Sequence, residues 1–83
     1  MKVTEITIDP QYNIAYIMIN DNKVTKSVRQ ENGVVIDYDY KGDLVGIELL
    51  NASKNAIIRI AKKFRLNDIE HKADHLSKLL HAA

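Results

Sequence analysis

The chain of 83 residues contains no cysteine and no tryptophan, and it has only one proline and three glycines. Without cysteine, neither a disulfide framework nor a thiolate metal site can form, which fits a cytoplasmic protein. Phosphate-binding glycine loops, nucleophile elbows and zinc-ligand spacings are also missing. The longest uncharged apolar run, NIAYIMIN, is far shorter than the roughly 20 residues that cross a bilayer, and no signal peptide begins the chain. A soluble protein is therefore expected.

The length and the 46 % hydrophobic content predict one folded domain over residues 1–83. Domains of this size bury only about 60 to 65 % of the surface that the unfolded chain exposes. The stability of a single copy is then marginal, so support from another subunit or a partner is expected. We therefore predict a homo-oligomer, in the simplest case a dimer, or a complex with another protein.

Charge is divided unevenly along the chain, although the net charge is only +1. Residues 1–52 contain five Lys and Arg against eight Asp and Glu, a net charge of −3, whereas residues 53–83 contain seven against three, a net charge of +4. This asymmetry predicts that the two segments face different surroundings.

Strand patterns occupy residues 1–54, which we predict to be the sheet core of the domain. The runs are VTEITI, IAYIMIN, KVTKSVRQ, GVVIDYDY and DLVGIELL. Turn signals separate them, among them Asp9-Pro10, Gly33 and Lys41-Gly42. The pattern predicts a small antiparallel sheet of four to five strands.

The last two runs predict a hairpin whose register separates apolar from charged side chains. A two-residue turn at Lys41-Gly42 gives one apolar face with the pairs Tyr38–Val45, Ile36–Ile47 and Val34–Leu49. The other face then receives the pairs Asp39–Leu44, Asp37–Gly46 and Val35–Glu48. We interpret its three carboxylates as solvated outward positions, because a slip of one residue would bury them at a high cost. A catalytic role is not favoured, because a general acid and a general base need carboxylates in different environments. Gly46 inside a strand indicates a bulge or a close backbone approach.

The run IAYIMIN is apolar on both faces. Ala15, Ile17 and Ile19 share one face, and Ile14, Tyr16 and Met18 share the other. A strand with two apolar faces is expected to be central in its sheet and covered on both sides. The cover over Tyr16 and Met18 is supplied by the C-terminal helices, by a second copy of the chain or by a different partner.

From Ser53 onward the apolar period becomes helical. Asn51 or Ser53 is available as the N-cap, and the apolar face is formed by Ala56, Ile57, Ile60, Ala61 and Phe64. Asn67 and Glu70 resemble the capping box of a second helix, whose narrow apolar stripe is Ile69, Ala73, Leu76 and Leu80. The predicted fold class is therefore α+β: a small antiparallel sheet of four to five strands followed by two C-terminal helices, with residues 55–83 as a helical extension.

Two further patterns in this extension concern binding. The segment RIAKKFR contains four cations, Arg59, Lys62, Lys63 and Arg65, for which a solvated helix face is the ordinary interpretation and nucleic-acid contact the alternative. His71 and His75 are four residues apart, but no third metal ligand accompanies them. We predict no metal site, no cofactor, no small-molecule substrate and no catalytic residues, and hence a protein that is not an enzyme.

Several segments carry a family resemblance. ITIDPQYNIAYIMI, KVTKSV and NGVVIDYDYKGDLVGIELLNASK resemble the YuzE-like family of small uncharacterised prokaryotic proteins over about residues 3 to 54. The resemblance implies a compact antiparallel sheet followed by a helix, and it brings no activity and no catalytic residues. Met18 stands where that family commonly has a charged residue, and the segment from about Asn55 extends beyond the shared part. An antitoxin role is suggested by analogy with families that accompany small toxins.

Two functional hypotheses follow from these patterns. The first is a non-catalytic protein-interaction module, antitoxin-like in its specific form, that contacts its partner through the amphipathic C-terminal helices and an apolar sheet face. Its predicted contact residues are Tyr16, Met18, Ile69, Ala73, Leu76 and Leu80. The alternative is a nucleic-acid-binding regulator that uses the basic helix from Arg59 to Arg65.

Overall fold

The computed structural model describes residues 2–66, 69 and 78, and these form a five-stranded antiparallel sheet with one helix on one face. The strands are β1 (Glu5–Asp9), β2 (Ile14–Met18), β3 (Lys26–Arg29), β4 (Val34–Tyr38) and β5 (Leu44–Leu49), and the helix is α1 (Lys54–Lys63). A 3₁₀ turn, Glu31–Gly33, joins β3 to β4. The strand order is β1-β2-β5-β4-β3, which places β5 at the centre between β2 and β4.

The predicted pair of C-terminal helices is wrong, because the described residues contain one α-helix, α1. Its C-terminus is closed by a Schellman motif, in which Arg65 adopts a φ of 54° and the Leu66 N–H donates to the Ala61 carbonyl at 2.9 Å. An apolar period in a short segment is a weak helix signal, since packing supplies most of the stability of a helix. Ala73, Leu76 and Leu80 of the predicted stripe lie outside the described residues.

The core face of the sheet is built on one row of side chains that crosses all five strands. In order across the sheet the row is Ile6, Ile17, Ile47, Ile36 and Val28. Ile17, Ile36 and Ile47 are almost completely buried. Because side chains alternate along a strand, this row commits its neighbours in every strand to the opposite face.

The helix covers this core face. Ser53, one of the two predicted candidates, is the N-cap, and its hydroxyl accepts a hydrogen bond from the Ala56 N–H at 3.2 Å. The buried helical residues are Ala56, Ile57, Ile60 and Ala61. They join the sheet side chains in one core cluster that also includes Leu66 and Ile69. The core is therefore a single layer between the sheet and the segment that begins with α1.

The predicted β4–β5 register is confirmed from Val34–Leu49 to Asp37–Gly46. A bulge then shifts the pairing, so that Tyr38 lies opposite Leu44 instead of Val45. Leu44 consequently packs against the core cluster, although the predicted register placed it on the other face.

The bulge follows from the way Asp39 closes the hairpin loop. Its carboxylate accepts hydrogen bonds from the backbone N–H groups of Lys41 and Asp43, at 2.9 and 3.0 Å, and from the Asn22 side-chain amide at 3.0 Å. Asp39 is only 4 % exposed, so its predicted solvated position is wrong. The Asn22 hydrogen bond, together with the two backbone donors, holds the pKa of Asp39 below its ordinary value. The loop is thus wider than the predicted two-residue turn.

Candidate interaction surface

The sheet face opposite α1, called here the outward face, carries a mixture of apolar and charged side chains. By strand pairing its members are Glu5, Thr7, Asp9, Ile14, Tyr16, Met18, Ser27, Arg29, Val35, Asp37, Gly46 and Glu48. The helix packs on the other face, and the apolar members Ile14, Tyr16, Met18 and Val35 all retain partial exposure. Strand β2 is interior to the sheet, with one side buried and the other half-buried, and the cover expected over Tyr16 and Met18 is not supplied by α1.

A chain of hydrogen bonds ties the middle of the outward face together. The Tyr16 hydroxyl donates to Oδ2 of Asp37 at 2.9 Å, and the Ser27 hydroxyl donates to Oδ1 of the same carboxylate at 2.6 Å. Tyr16 is on β2, Asp37 on β4 and Ser27 on β3, so the network links three strands. Because β5 lies between β2 and β4, the tyrosine must reach across one whole strand to make its contact.

Gly46 on β5 is the residue that makes this crossing feasible. It pairs with Met18 on one side and with Asp37 on the other, directly beneath the path of the Tyr16 ring. A Cβ atom built on Gly46 would overlap the hydroxyl oxygen and Cζ of Tyr16. The predicted close approach at this glycine is thus to a tyrosine side chain, and the ring occupies the space of the missing side chain.

The environment of Tyr16 defines what its hydroxyl can do. Burial raises the pKa of Tyr16 to about 12, and the hydrogen bond to Asp37 and the negative charges of Asp37 and Glu48 act in the same direction. The hydroxyl therefore stays protonated at neutral pH and acts as a hydrogen-bond donor. Asp37 accepts from two hydroxyl groups at once, and this arrangement orders side chains of three strands on the surface.

Glu48 lies at the centre of the outward face. It is directly opposite Tyr16 on one neighbouring strand and Val35 on the other, and it is half-buried. Within the described part of the chain, Glu48 has no hydrogen bond and no ion pair. Asp37 and Glu48 on this face therefore differ: Asp37 accepts from two hydroxyl groups, whereas Glu48 has no hydrogen-bond or ion-pair partner among the described residues.

The predicted contact residues that the structure describes lie on two sides of the sheet. Tyr16 and Met18 lie on the outward face, whereas Ile69 is 1 % exposed in the core cluster on the opposite side of the sheet. Ala73, Leu76 and Leu80 lie outside the described residues. Gly46 and Glu48 were placed on this face by the predicted register but not named as contact residues, and Ser27 was not assigned to the face. The sequence signal for the contact between Tyr16 and Asp37 was Gly46, which lies opposite Asp37 in the predicted register.

The predicted basic cluster is on the other side of the molecule. Arg59, Lys62, Lys63 and Arg65 are all exposed, on or just after α1. Arg59 and Lys63 line a groove of about 420 Å³ together with Gln30, Glu31 and Asn32 of the turn before β4. Lys63 donates a hydrogen bond to the Gln30 side-chain oxygen at 3.2 Å, which joins the helix to this turn.

The structure provides no centre for a metal ion among residues 2–66, 69 and 78, where no three His, Cys, Asp or Glu side chains come together. His71 and His75 lie outside these residues. In the same described residues, no helix has both the length and the apolarity needed to cross a membrane.

Comparison with protein families matches residues 5–53 to the family described as protein of unknown function (DUF2283). This is more than half of the chain. The chain belongs to this family. The DUF2283 match begins at the first residue of β1 and ends at Ser53, the N-cap of α1, so it contains the whole sheet and every residue of the outward face. No curated protein and no solved structure matches the chain.

The contact between Tyr16 and Gly46 predicts a strong coupling between the two positions. We expect Gly46→Ala to lower the free energy of unfolding by about 1 to 2 kcal/mol, because the ring must move and the hydrogen bond to Asp37 breaks. In a Tyr16→Ala background the same change is expected to be neutral or slightly stabilising, since alanine loses less backbone entropy than glycine. Urea unfolding of the four proteins measures the coupling, and additive effects would contradict it.

The raised pKa of Tyr16 predicts a loss of stability in alkaline solution. The unfolded tyrosine loses its proton near pH 10 and the folded one near pH 12. Between these values the folded state binds more protons, so the free energy of unfolding falls as the pH rises. Tyr16→Phe removes this contribution and costs about 1 kcal/mol at neutral pH, where the hydrogen bond is lost. Urea unfolding between about pH 9 and pH 12 should show a shallower slope for Tyr16→Phe than for the wild type, and parallel slopes would refute this.

Proposed function

We propose that this protein is a non-catalytic, cytoplasmic protein-interaction module that binds its partner through the outward face of its sheet. The observation that carries the proposal is the half-exposed set of apolar side chains on β2, Ile14, Tyr16 and Met18, on the side that α1 does not cover. Burial of such a surface against another protein is favourable at roughly 25 cal/mol per Å² of apolar area. The pre-ordered Tyr16–Asp37–Ser27 network reduces the entropy lost when a partner binds.

The biological form of the proposal is an antitoxin-like partner of a small toxin. It rests on the resemblance of residues 3 to 54 to the YuzE-like family and on analogy with families that accompany toxins. The occupant of the outward face is a second copy of the chain, giving a homodimer, or a different protein.

Site-specific photo-crosslinking tests the proposal in the cells that produce the protein. A photo-crosslinking amino acid at Met18, on the outward face, should give a covalent adduct with another protein chain. The same amino acid at Lys62, which is exposed on the far side of the molecule, is the matched control and should give none. The mass of the adduct separates a second copy from another protein. If the protein is expressed and folded but gives no adduct from position 18, the outward face is excluded as the binding surface.

Nucleic-acid binding is a second candidate function, and the exposure of the four cations favours it. Arg59, Lys62, Lys63 and Arg65 are accessible together, and two of them share a groove with polar side chains of the preceding turn. Such an array suits the phosphate backbone, whose binding is driven by the release of counterions.

Fluorescence polarisation with labelled single- and double-stranded DNA and RNA tests this second function. Binding should weaken steeply with salt, and replacement of the four cations by alanine should abolish it. The matched control replaces Lys2, Lys23, Lys26 and Lys41, which removes the same charge from the sheet segment and should leave most of the binding intact. No binding at low salt, or equal losses in the two variants, would exclude the basic helix as the contact.

A further inference from the structure

The outward face has a chemical asymmetry that identifies the kind of partner it suits. Its acidic members are Glu5, Asp9, Asp37 and Glu48, and its only basic member is Arg29. The apolar residues Ile14, Met18 and Val35 lie among these carboxylates. A complementary surface therefore combines positive charge with apolar side chains.

Glu48 is the acidic residue on the central strand of the outward face. Glu48 is half-buried and has no ion pair among the described residues, so a cation supplied by a partner would gain a charge-assisted hydrogen bond there. The nearest basic residue on this face, Arg29, is two strands away, about 10 Å at the usual spacing of strands, and makes no ion pair with it in the described structure. The cation must then come from outside the face.

The neighbours of Glu48 suit a guanidinium or ammonium group. Tyr16 lies directly opposite Glu48 and keeps its hydroxyl on Asp37, so the ring is held in place beside the carboxylate. A cation bound to Glu48 would lie close to this ring and to the charge of Asp37, and both attract it. Arginine has the advantage over lysine, because its planar group can bind a carboxylate and stack on an aromatic ring.

We infer that the outward face recognises a protein segment in which an arginine or lysine, flanked by apolar residues, pairs with Glu48. The inference rests on the proposed function and names the chemistry of its partner. A second copy bound face to face fits less well, because two acidic surfaces would meet and like charges repel. A nucleic acid is disfavoured on this face for the same reason.

Selection from a library of random 12-residue peptides displayed on phage tests the inference with the full chain as target. The enriched peptides should contain Arg or Lys next to apolar residues. A synthetic peptide of the leading sequence should bind the Glu48→Gln protein at least about ten-fold more weakly than the wild type. Glu31→Gln, an exposed carboxylate of the turn beside α1 and outside the outward face, is the matched control and should change the affinity by less than about three-fold.

A change in the peptide keeps the test valid if Glu48→Gln fails to fold. Replacing the peptide cation by citrulline, which keeps the shape of arginine without its charge, should weaken binding to the wild-type protein by the same factor. Combining that peptide with Glu48→Gln should add little more, because the two changes remove one interaction.

The outcomes separate the inference from the proposed function. Peptides that bind Glu48→Gln as tightly as the wild type, but lose affinity for Met18→Gln, would keep the outward face as a binding surface and overturn the cation at Glu48. Enrichment of peptides without cations would overturn it in the same way. If no peptide is enriched, the inference falls, and photo-crosslinking at Met18 decides separately whether the face binds a protein.

Discussion

The structure depends on the strict alternation of side chains along five paired strands. One row of apolar residues, from Ile6 through Ile17, Ile47 and Ile36 to Val28, crosses the sheet on the core face. A slip of one residue in β4 would bring Asp37 into that row, where a carboxylate has no partner and is costly. The register is therefore fixed by the core. The residues between the core positions must then lie on the outward face, because side chains alternate along each strand.

The two faces are stabilised by different interactions. The core face is closed by α1, whose buried residues fill the space above the isoleucine row. The outward face is held by the Tyr16 ring lying over Gly46 and by the hydrogen bonds that end on Asp37. Such a network contributes less burial than a helix would, but it orders side chains from three strands. The result is a face whose polar side chains are held by hydrogen bonds and whose apolar side chains on β2 stay half-buried.

The features that follow from local pattern were predictable, and those that depend on distant partners were not. The strands, the Ser53 cap and the pairing up to Asp37–Gly46 are set by alternation and by nearby residues. The hairpin loop is different, because Asp39 is held partly by Asn22, 17 residues earlier. Tyr16 and Asp37 are 21 residues apart, and neither residue alone indicates that they meet. The position of Ile69 in the core likewise depends on tertiary contacts.

The separation of charge along the sequence becomes a separation in space. The acidic segment supplies the outward face, and the basic residues of α1 are exposed on the far side of the core. A molecule with this distribution has a preferred orientation in an electric field, so a cationic partner and an anionic one approach it from opposite sides. The two candidate functions therefore use surfaces that do not overlap. Binding on the sheet would leave Arg59 and Lys63 exposed beside α1.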